Sequence, residues 1–214
     1  DDRVGHPPVR ITGSLDGLRT TGQVDVAFSK VKPKYLLSAW IKHLVACATV
    51  PGFFGISWLV GSLNKDKESQ LLPTCCFQGV VGDGDSLAER ARAELGRLLE
   101  LYRIGWCQPL LLMPDSSYQY VLALVKLKGS DVQDDSPARE KAIKTFVTKP
   151  GDQFPKEQDA YWSWILGDVV PWQRGVDLTV PNTTPDLRPE ALALRVWQPL
   201  LKVMWQGADA EVAP

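Results

Sequence analysis

Metal-ligating residues are scarce in this chain. It holds two histidines, His6 and His43, and four cysteines, Cys47, Cys75, Cys76 and Cys107. No cysteine stands in a C-x-x-C pair, and neither histidine is near Cys75-Cys76, so the ligand spacing of a zinc site is missing. Adjacent cysteines rarely bond each other, and the reading is of free, largely buried thiols in a cytosolic protein. No secretory signal opens the chain, and no apolar run is long enough to cross a bilayer. The longest apolar window, YLLSAWIKHLVACA, is interrupted by Lys42 and His43. Neither charge dominates. The formal net charge of −1 speaks against a polyanion binder as a whole and leaves room for a local basic patch. Walker, G-x-G-x-x-G and G-x-S-x-G signatures are absent, and the glycine-rich GVVGDGD lacks the lysine of a phosphate cradle. The first residues, Asp-Asp-Arg without methionine, suggest a piece cut from something longer.

What is present is ordinary for a globular chain: 214 residues, 44% hydrophobic and 23% charged, enough for one large domain or two small ones. Residues 9–19 and 23–31 alternate in period two, which predicts two strands. Val9, Ile11, Gly13 and Leu15, then Val24, Val26 and Phe28, make one face, and the aspartates fall on the polar face. Leu37, Trp40, Ile41, Leu44, Val45 and Ala48 recur at helical spacing and predict a central, buried helix over 34–48, ended by Pro51-Gly52. A second hairpin is expected from 55–63 and 68–78. Ser86-Leu87-Ala88-Glu89 fits a capping box for a helix over 86–104, whose stripe is Leu95, Leu98, Leu99 and Tyr102. Arg90, Glu94, Arg97, Glu100 and Arg103 read as its solvated face.

Pro109-LLLM-Pro114 and Tyr118–Leu127 read as short strands around a turn at Asp115-Ser116-Ser117. Ser136 as N-cap and Pro137 as first helical residue predict a helix to 147. DAYWSWIL begins a short helix. A last helix over 189–205 must kink or lose a backbone bond at Pro199. Residues 1–8 are expected as a flexible leader, 9–205 as the domain and 206–214 as a disordered tail. Strands and helices mix without regular alternation, so the fold class is α+β or irregular α/β. Eight tryptophans occur. Trp40, Trp197 and Trp205 sit in apolar helical stripes and read as core. Trp162, Trp164 and Trp172 cluster near loops and are the candidates for an interface patch, with burial in the domain as the alternative.

The chemistry turns on GSLDGLRTTGQVDVAFSK, residues 13–30. Paired acids and a lysine on a hairpin are the ingredients of a metal-dependent nuclease, in which the acids hold the ion and the lysine polarises the attacking water. A hairpin closing on Thr20-Thr21 sets Asp16 opposite Asp25, a like-charge pair in need of compensation. Such a nuclease carries acid-x-lysine on the second strand, and here that position is Ala27. Lys30 is of odd parity from Asp25 and faces the other way along a regular strand. A second pattern, Pro114-Asp115 with LVKLK at 124–128, lacks an acid two residues before either lysine. His6 lies in the leader. His43, on a mostly apolar helix, reads as a satisfied core or surface histidine.

Several segments together resemble a known family. They are the GSLDGL hairpin, YLLSAWIKHLVACA, LGRLLELYRIGWCQPLLLMPDSS, DDSPAREKAIKTF and LRVWQPLLKVMW, in order over roughly residues 9–205. The chain resembles the C-terminal region of the exodeoxyribonuclease V gamma subunit, RecC of the RecBCD helicase–nuclease. The resemblance implies a degenerate PD-(D/E)XK restriction-endonuclease-like fold, a small mixed sheet flanked by helices. Asp16, in Gly13-Ser14-Leu15-Asp16, takes the place of the first acid, Asp25 could align with the second, and Ala27 stands where the lysine would be. The helix over 34–48 has no glutamine, and its only tyrosine, Tyr35, is at its start, so the family's Q-x-x-x-Y is missing. The resemblance thus implies a catalytically inactive scaffold without metal or cofactor, partnered by the beta (RecB) and alpha (RecD) subunits. It meets DNA through the assembled cytoplasmic complex and has no membrane partner. The rival is a divergent metal-dependent nuclease using Asp16 and Asp25, and a third reading is an unrelated interaction domain.

Overall fold

The computed structural model describes residues 10–62, 72–82, 84–127, 134–147, 157, 160–167, 169–173 and 187–206. The leader expected over 1–8 lies outside these residues, as do most of the irregular segment 168–186 and all of the tail except Gln206. The elements are β1 (Leu18–Arg19), β2 (Gly22–Lys30), α1 (Pro33–Thr49), β3 (Ile56–Ser62), β4 (Leu72–Gln78), α2 (Leu87–Cys107), α3 (Pro114–Leu127), α4 (Ser136–Phe146), α5 (Ala160–Leu166), α6 (Pro189–Val203) and β5 (Met204–Gln206). The strands form one sheet in the order β1-β2-β3-β4-β5, with β2 and β3 parallel and every other neighbour antiparallel. This is a mixed α+β fold with a small mixed sheet and flanking helices.

The first hairpin closes where the sequence places it. Leu18 pairs with Gln23 and Arg19 with Gly22, around Thr20-Thr21. Its first strand is far shorter than 9–19, because residues 10–16 are not extended into the sheet and 10–14 are exposed. An alternating segment gains little from strand pairing when no layer covers its apolar side. Gly17 marks the break. Its φ is +77°, and a Cβ there would lie 2.0 Å from the Val24 carbonyl oxygen. The Val24 N–H donates to the Gly17 carbonyl at 2.9 Å, so the backbones touch where only glycine fits.

Helix α1 links the two parallel strands. Pro33 opens it, where the missing N–H has no helical partner to lose. Leu36, Ala39, Trp40, His43, Leu44 and Cys47 are buried, as an apolar helix requires. Helix α2 starts with both halves of the capping box: the Glu89 N–H donates to Ser86 Oγ at 3.2 Å, and the Ser86 N–H donates to Glu89 Oε2 at 2.9 Å. Two residues depart from the expected stripe. Tyr102 is 61% exposed, while Glu94, expected in solvent, is buried with Leu95 and Leu101.

The two strands expected over 109–127 are not formed. Residues 109–113 have no regular structure, and 114–127 are helix α3. Met113, Ser117, Tyr120, Val121 and Leu124 meet the core at helical spacing, while Tyr118, Tyr120, Leu122 and Leu124 mimic alternation when read two at a time. The expected turn at Asp115-Ser116-Ser117 is the first helical turn. Its Asp115 and Ser116 N–H groups donate to the Glu157 carboxylate at 2.5 and 2.8 Å, an acid where the helix dipole favours one. Burial raises the Glu157 carboxyl above its ordinary range, against those bonds. Helix α4 begins one residue early. Asp135 is the flanking residue, Ser136 is already helical, and Asp134 Oδ1 accepts from the Ser136 N–H and hydroxyl at 3.1 and 2.8 Å.

Helix α1 packs on α2, and α3 packs on both α4 and α6. A polar network ties the second group: the Tyr120 hydroxyl donates to Asp135 Oδ2 at 3.0 Å, and Arg139 bonds both Asp135 and Glu190. Trp40, Trp172, Trp197, Phe77 and Phe146 are fully buried in the shared core. Helix α6 carries Pro199 inside it and ends at Val203. Trp205, expected on the last helical stripe, instead belongs to β5, paired with Cys76 of β4.

Candidate functional site

Strand β2 has two unlike faces, and the sheet buries the one the sequence pattern marks as wet. Gln23 and Ala27 are buried and Asp25 is half-buried, while Val24, Val26 and Phe28 are exposed, Phe28 by 89%. Alternation separates two faces but does not say which one a helix will cover. Here α1 lies over the side with the small Ala27, and Asp25 on that side finds a charged partner.

For Asp25 the partner is Lys42 of α1, whose Nζ lies 3.0 and 2.9 Å from the two carboxylate oxygens. Tyr35, Ser38 and Lys42 share one face of α1, three and four residues apart. With Asp25, Ala27, Ser29 and Leu59 they line a cavity of about 440 Å³. A Ser29 hydrogen bond and the Lys34 charge hold the Tyr35 phenol below its ordinary value, and the Lys34 ammonium sits 5.1 Å from the tyrosine ring centre. Sequence reasoning treated Lys42 as an interruption of an apolar helix. A lysine in the middle of such a helix is the signal that something polar lies opposite.

Asp16 is exposed in the stretch before β1 and does not line this cavity. The hairpin register is the one that sets residue 16 across from 25, but the ladder ends at Leu18, so the two acids are not a strand pair. Among the described residues no group of three or more histidine, cysteine or acidic side chains is gathered as a metal cluster. Lys30 is at the end of β2, where its Cα pairs with Ser62 after a register shift past Val26.

His43, one residue after Lys42, faces the core. Its Nε2 lies 2.9 Å from the Gly79 carbonyl and its Nδ1 lies 2.8 Å from Ser57 Oγ. A carbonyl only accepts, so Nε2 carries the proton and Nδ1 accepts from the serine hydroxyl. The Gln23 side-chain amide lies 3.3 Å from the same hydroxyl. Trp40 stacks on the imidazole at 5.3 Å. Burial pushes the His43 pKa down to about 4. This serine–histidine contact is sealed from solvent and holds β3 and the segment after β4 to α1. Cys47 and Cys75, also buried, are pushed up to about 12 and do not act as thiolates.

The three tryptophans expected as an interface patch have different environments, Trp162 and Trp164 on α5 and Trp172 after it. Trp172 is fully buried against Tyr120, with ring centres 5.1 Å apart. Trp162 is half-buried against the core, and Trp164 is 84% exposed. Only Trp164 offers a full ring to a partner.

The far face of the sheet also has a pattern. Val24 is paired with Trp58 and Val26 with Val60, so their side chains stand on one side. Ile56, Trp58 and Val60 are half-buried and stand outside the main core cluster. With Phe28 they form an apolar row that no helix among the described residues covers.

A model of the RecC C-terminal domain matches residues 2–125, more than half of the chain, taking in strands β1 to β4 and most of α1 to α3. RecBCD enzyme subunit RecC of Escherichia coli (strain K12) is 30% identical over 139 residues, covering 65% of this chain and 11% of that protein. The subunit of the same name from Mycobacterium tuberculosis (strain CDC 1551 / Oshkosh) is 27% identical over 197 residues, covering 90% of this chain and 16% of that protein. The chain thus spans a ninth to a sixth of the length of these relatives. Matched by that model over the hairpin, α1 and the α2–α3 segment, the chain belongs to the RecC C-terminal domain family.

Proposed function

We propose that residues 9–205 form a nuclease-like scaffold domain, inactive in catalysis, within a larger subunit of a RecBCD-type DNA end-processing complex in the cytoplasm. Its work is assembly with the beta and alpha subunits and shaping of the DNA path where the duplex is opened. The observation that carries this reading is the exposed apolar row Val24, Val26 and Phe28 on β2. Large contiguous apolar exposure marks an interaction surface. Support for lost catalysis comes from the site itself. Ala27 stands at the lysine position, and the Asp25 carboxylate is already neutralised by Lys42 rather than free for an ion. The test is co-purification of the full-length subunit with its partner subunits. Phe28→Asp should keep the fold and lose or weaken assembly, and assembly at wild-type yield would count against the reading.

One observation favours a second reading, a divergent nuclease. The strand lysine is absent, yet α1 delivers the Lys42 ammonium to Asp25, within the reach such chemistry needs. Magnesium- or manganese-dependent cutting of DNA that disappears in Asp16→Ala, Asp25→Ala and Lys42→Ala would establish it.

A further inference from the structure

Helices α2 and α6 stand apart across a groove of about 440 Å³, lined by Glu94, Arg97, Leu98, Leu101, Leu194 and Pro199 among others. An ion pair crosses it, with Arg195 Nη2 3.2 Å from Glu100 Oε2. Its floor holds Glu94, only 1% exposed. Glu94 Oε2 accepts from Arg97 at 3.0 Å, while Oε1 is buried with no partner. A buried carboxylate oxygen without a donor is costly, and the group wants a second one. Burial outweighs Arg97 and raises the Glu94 carboxyl above its ordinary range. The groove therefore offers one unsatisfied acceptor, Glu94 Oε1, at its base and leucine and proline carbon on its walls.

That combination selects its occupant. A phosphate is repelled by the carboxylate, and a purely apolar side chain leaves Oε1 unpaired. A lysine or arginine side chain meets both demands, with an apolar stem for the walls and a cationic donor for the base. We propose that the groove between α2 and α6 receives a basic side chain of a protein partner, whose charged head shares Glu94 with Arg97. Arg97, which already donates to Oε2, is half exposed, so its end of the groove is open to solvent. This surface is separate from the β2 row, and the proposal does not depend on whether the domain is a scaffold or a nuclease.

Ligand-observed NMR on the full-length protein tests it, with N-acetyl-lysinamide and N-acetyl-argininamide as probes and N-acetyl-norleucinamide as the uncharged control. The cationic probes should bind, and the control should bind at least tenfold more weakly. Glu94→Gln, which keeps the shape, should weaken the cationic probes at least tenfold. Gln198→Trp, at the half-buried lip, should block them without touching the floor. Absence of cationic binding to the wild-type protein overturns the proposal. So does equal binding of norleucinamide, or undiminished binding in a folded Glu94→Gln or Gln198→Trp variant.

Discussion

The Lys42 ammonium on α1 grips both carboxylate oxygens of Asp25 on β2, at 3.0 and 2.9 Å. It ties the helix to the strand at the level where Ala27 leaves space. The pair is partly solvated, with side chains 35% and 26% exposed, so its strength is modest. Removing either partner, as Asp25→Asn or Lys42→Met, should cost about 0.5–1 kcal/mol, and a double-mutant cycle should return about the same coupling. Urea unfolding of the four proteins measures it. A coupling near zero would mean that the pair is only a surface contact.

His43 makes stability fall with acid. Its folded pKa of about 4 lies below the ordinary 6.5, so the folded state keeps it neutral where the unfolded chain takes up a proton. Above the unfolded value there is no penalty. As pH falls from 6.5 toward 4 the unfolded state gains, at a limiting slope of about 1.4 kcal/mol per unit and a total of roughly 3 kcal/mol. Below the folded value both states bind the proton and the loss levels off. Urea midpoints through this window should decline more steeply in the wild-type protein than in His43→Gln. Parallel curves would rule out His43 as the source.

The capping box at the start of α2 can be opened from one side. Ser86→Ala removes the acceptor of the Glu89 N–H and should cost about 1 kcal/mol, whereas Ser86→Asp restores an acceptor and should stay within a few tenths. Thermal unfolding distinguishes the two. Equal melting temperatures for Ala and Asp would show that the cap contributes little here.

Two neighbouring tryptophans should behave oppositely. Trp172→Ala empties a fully buried site beside Tyr120 and should destabilise by roughly 3–5 kcal/mol. Trp164→Ala removes an exposed ring and should change stability by no more than about 0.5 kcal/mol. If Trp164 belongs to a subunit contact, its loss lowers assembly yield while the melting curve stays put.

Local signals explain which parts were readable. Helices α1 and α2 follow from period and punctuation, since Pro33, Pro51-Gly52 and Ser86/Glu89 act within a few residues of where they stand. The failures arise where distant packing decides. Tyr118, Tyr120, Leu122 and Leu124 alternate as a strand would, and only contact of α3 with α4 and α6 settles the helix. The two faces of β2 are legible, but their assignment depends on where α1 lands, and Ala27 reads as a missing lysine before it reads as room for a helix. Lys42 was visible as an oddity, and its partner was known only once β2 lay beneath it. Glu94 reads as solvated by charge alone, yet it is buried at the floor of the groove that faces α6.

The pairing of β4 with β5 sets an order of events during synthesis. Met204, Trp205 and Gln206 meet Phe77, Cys76 and Cys75, so the edge of β4 is capped by almost the last described residues of the chain. While the ribosome adds the intervening helices, that edge presents open hydrogen-bonding groups beside apolar side chains, a template for wrong strands. Closing it late is a slow, long-range step. A ribosome stalled before Met204 should therefore carry a nascent chain more prone to aggregate than one released after Gln206, and the small β5 strand serves as the final seal on the domain.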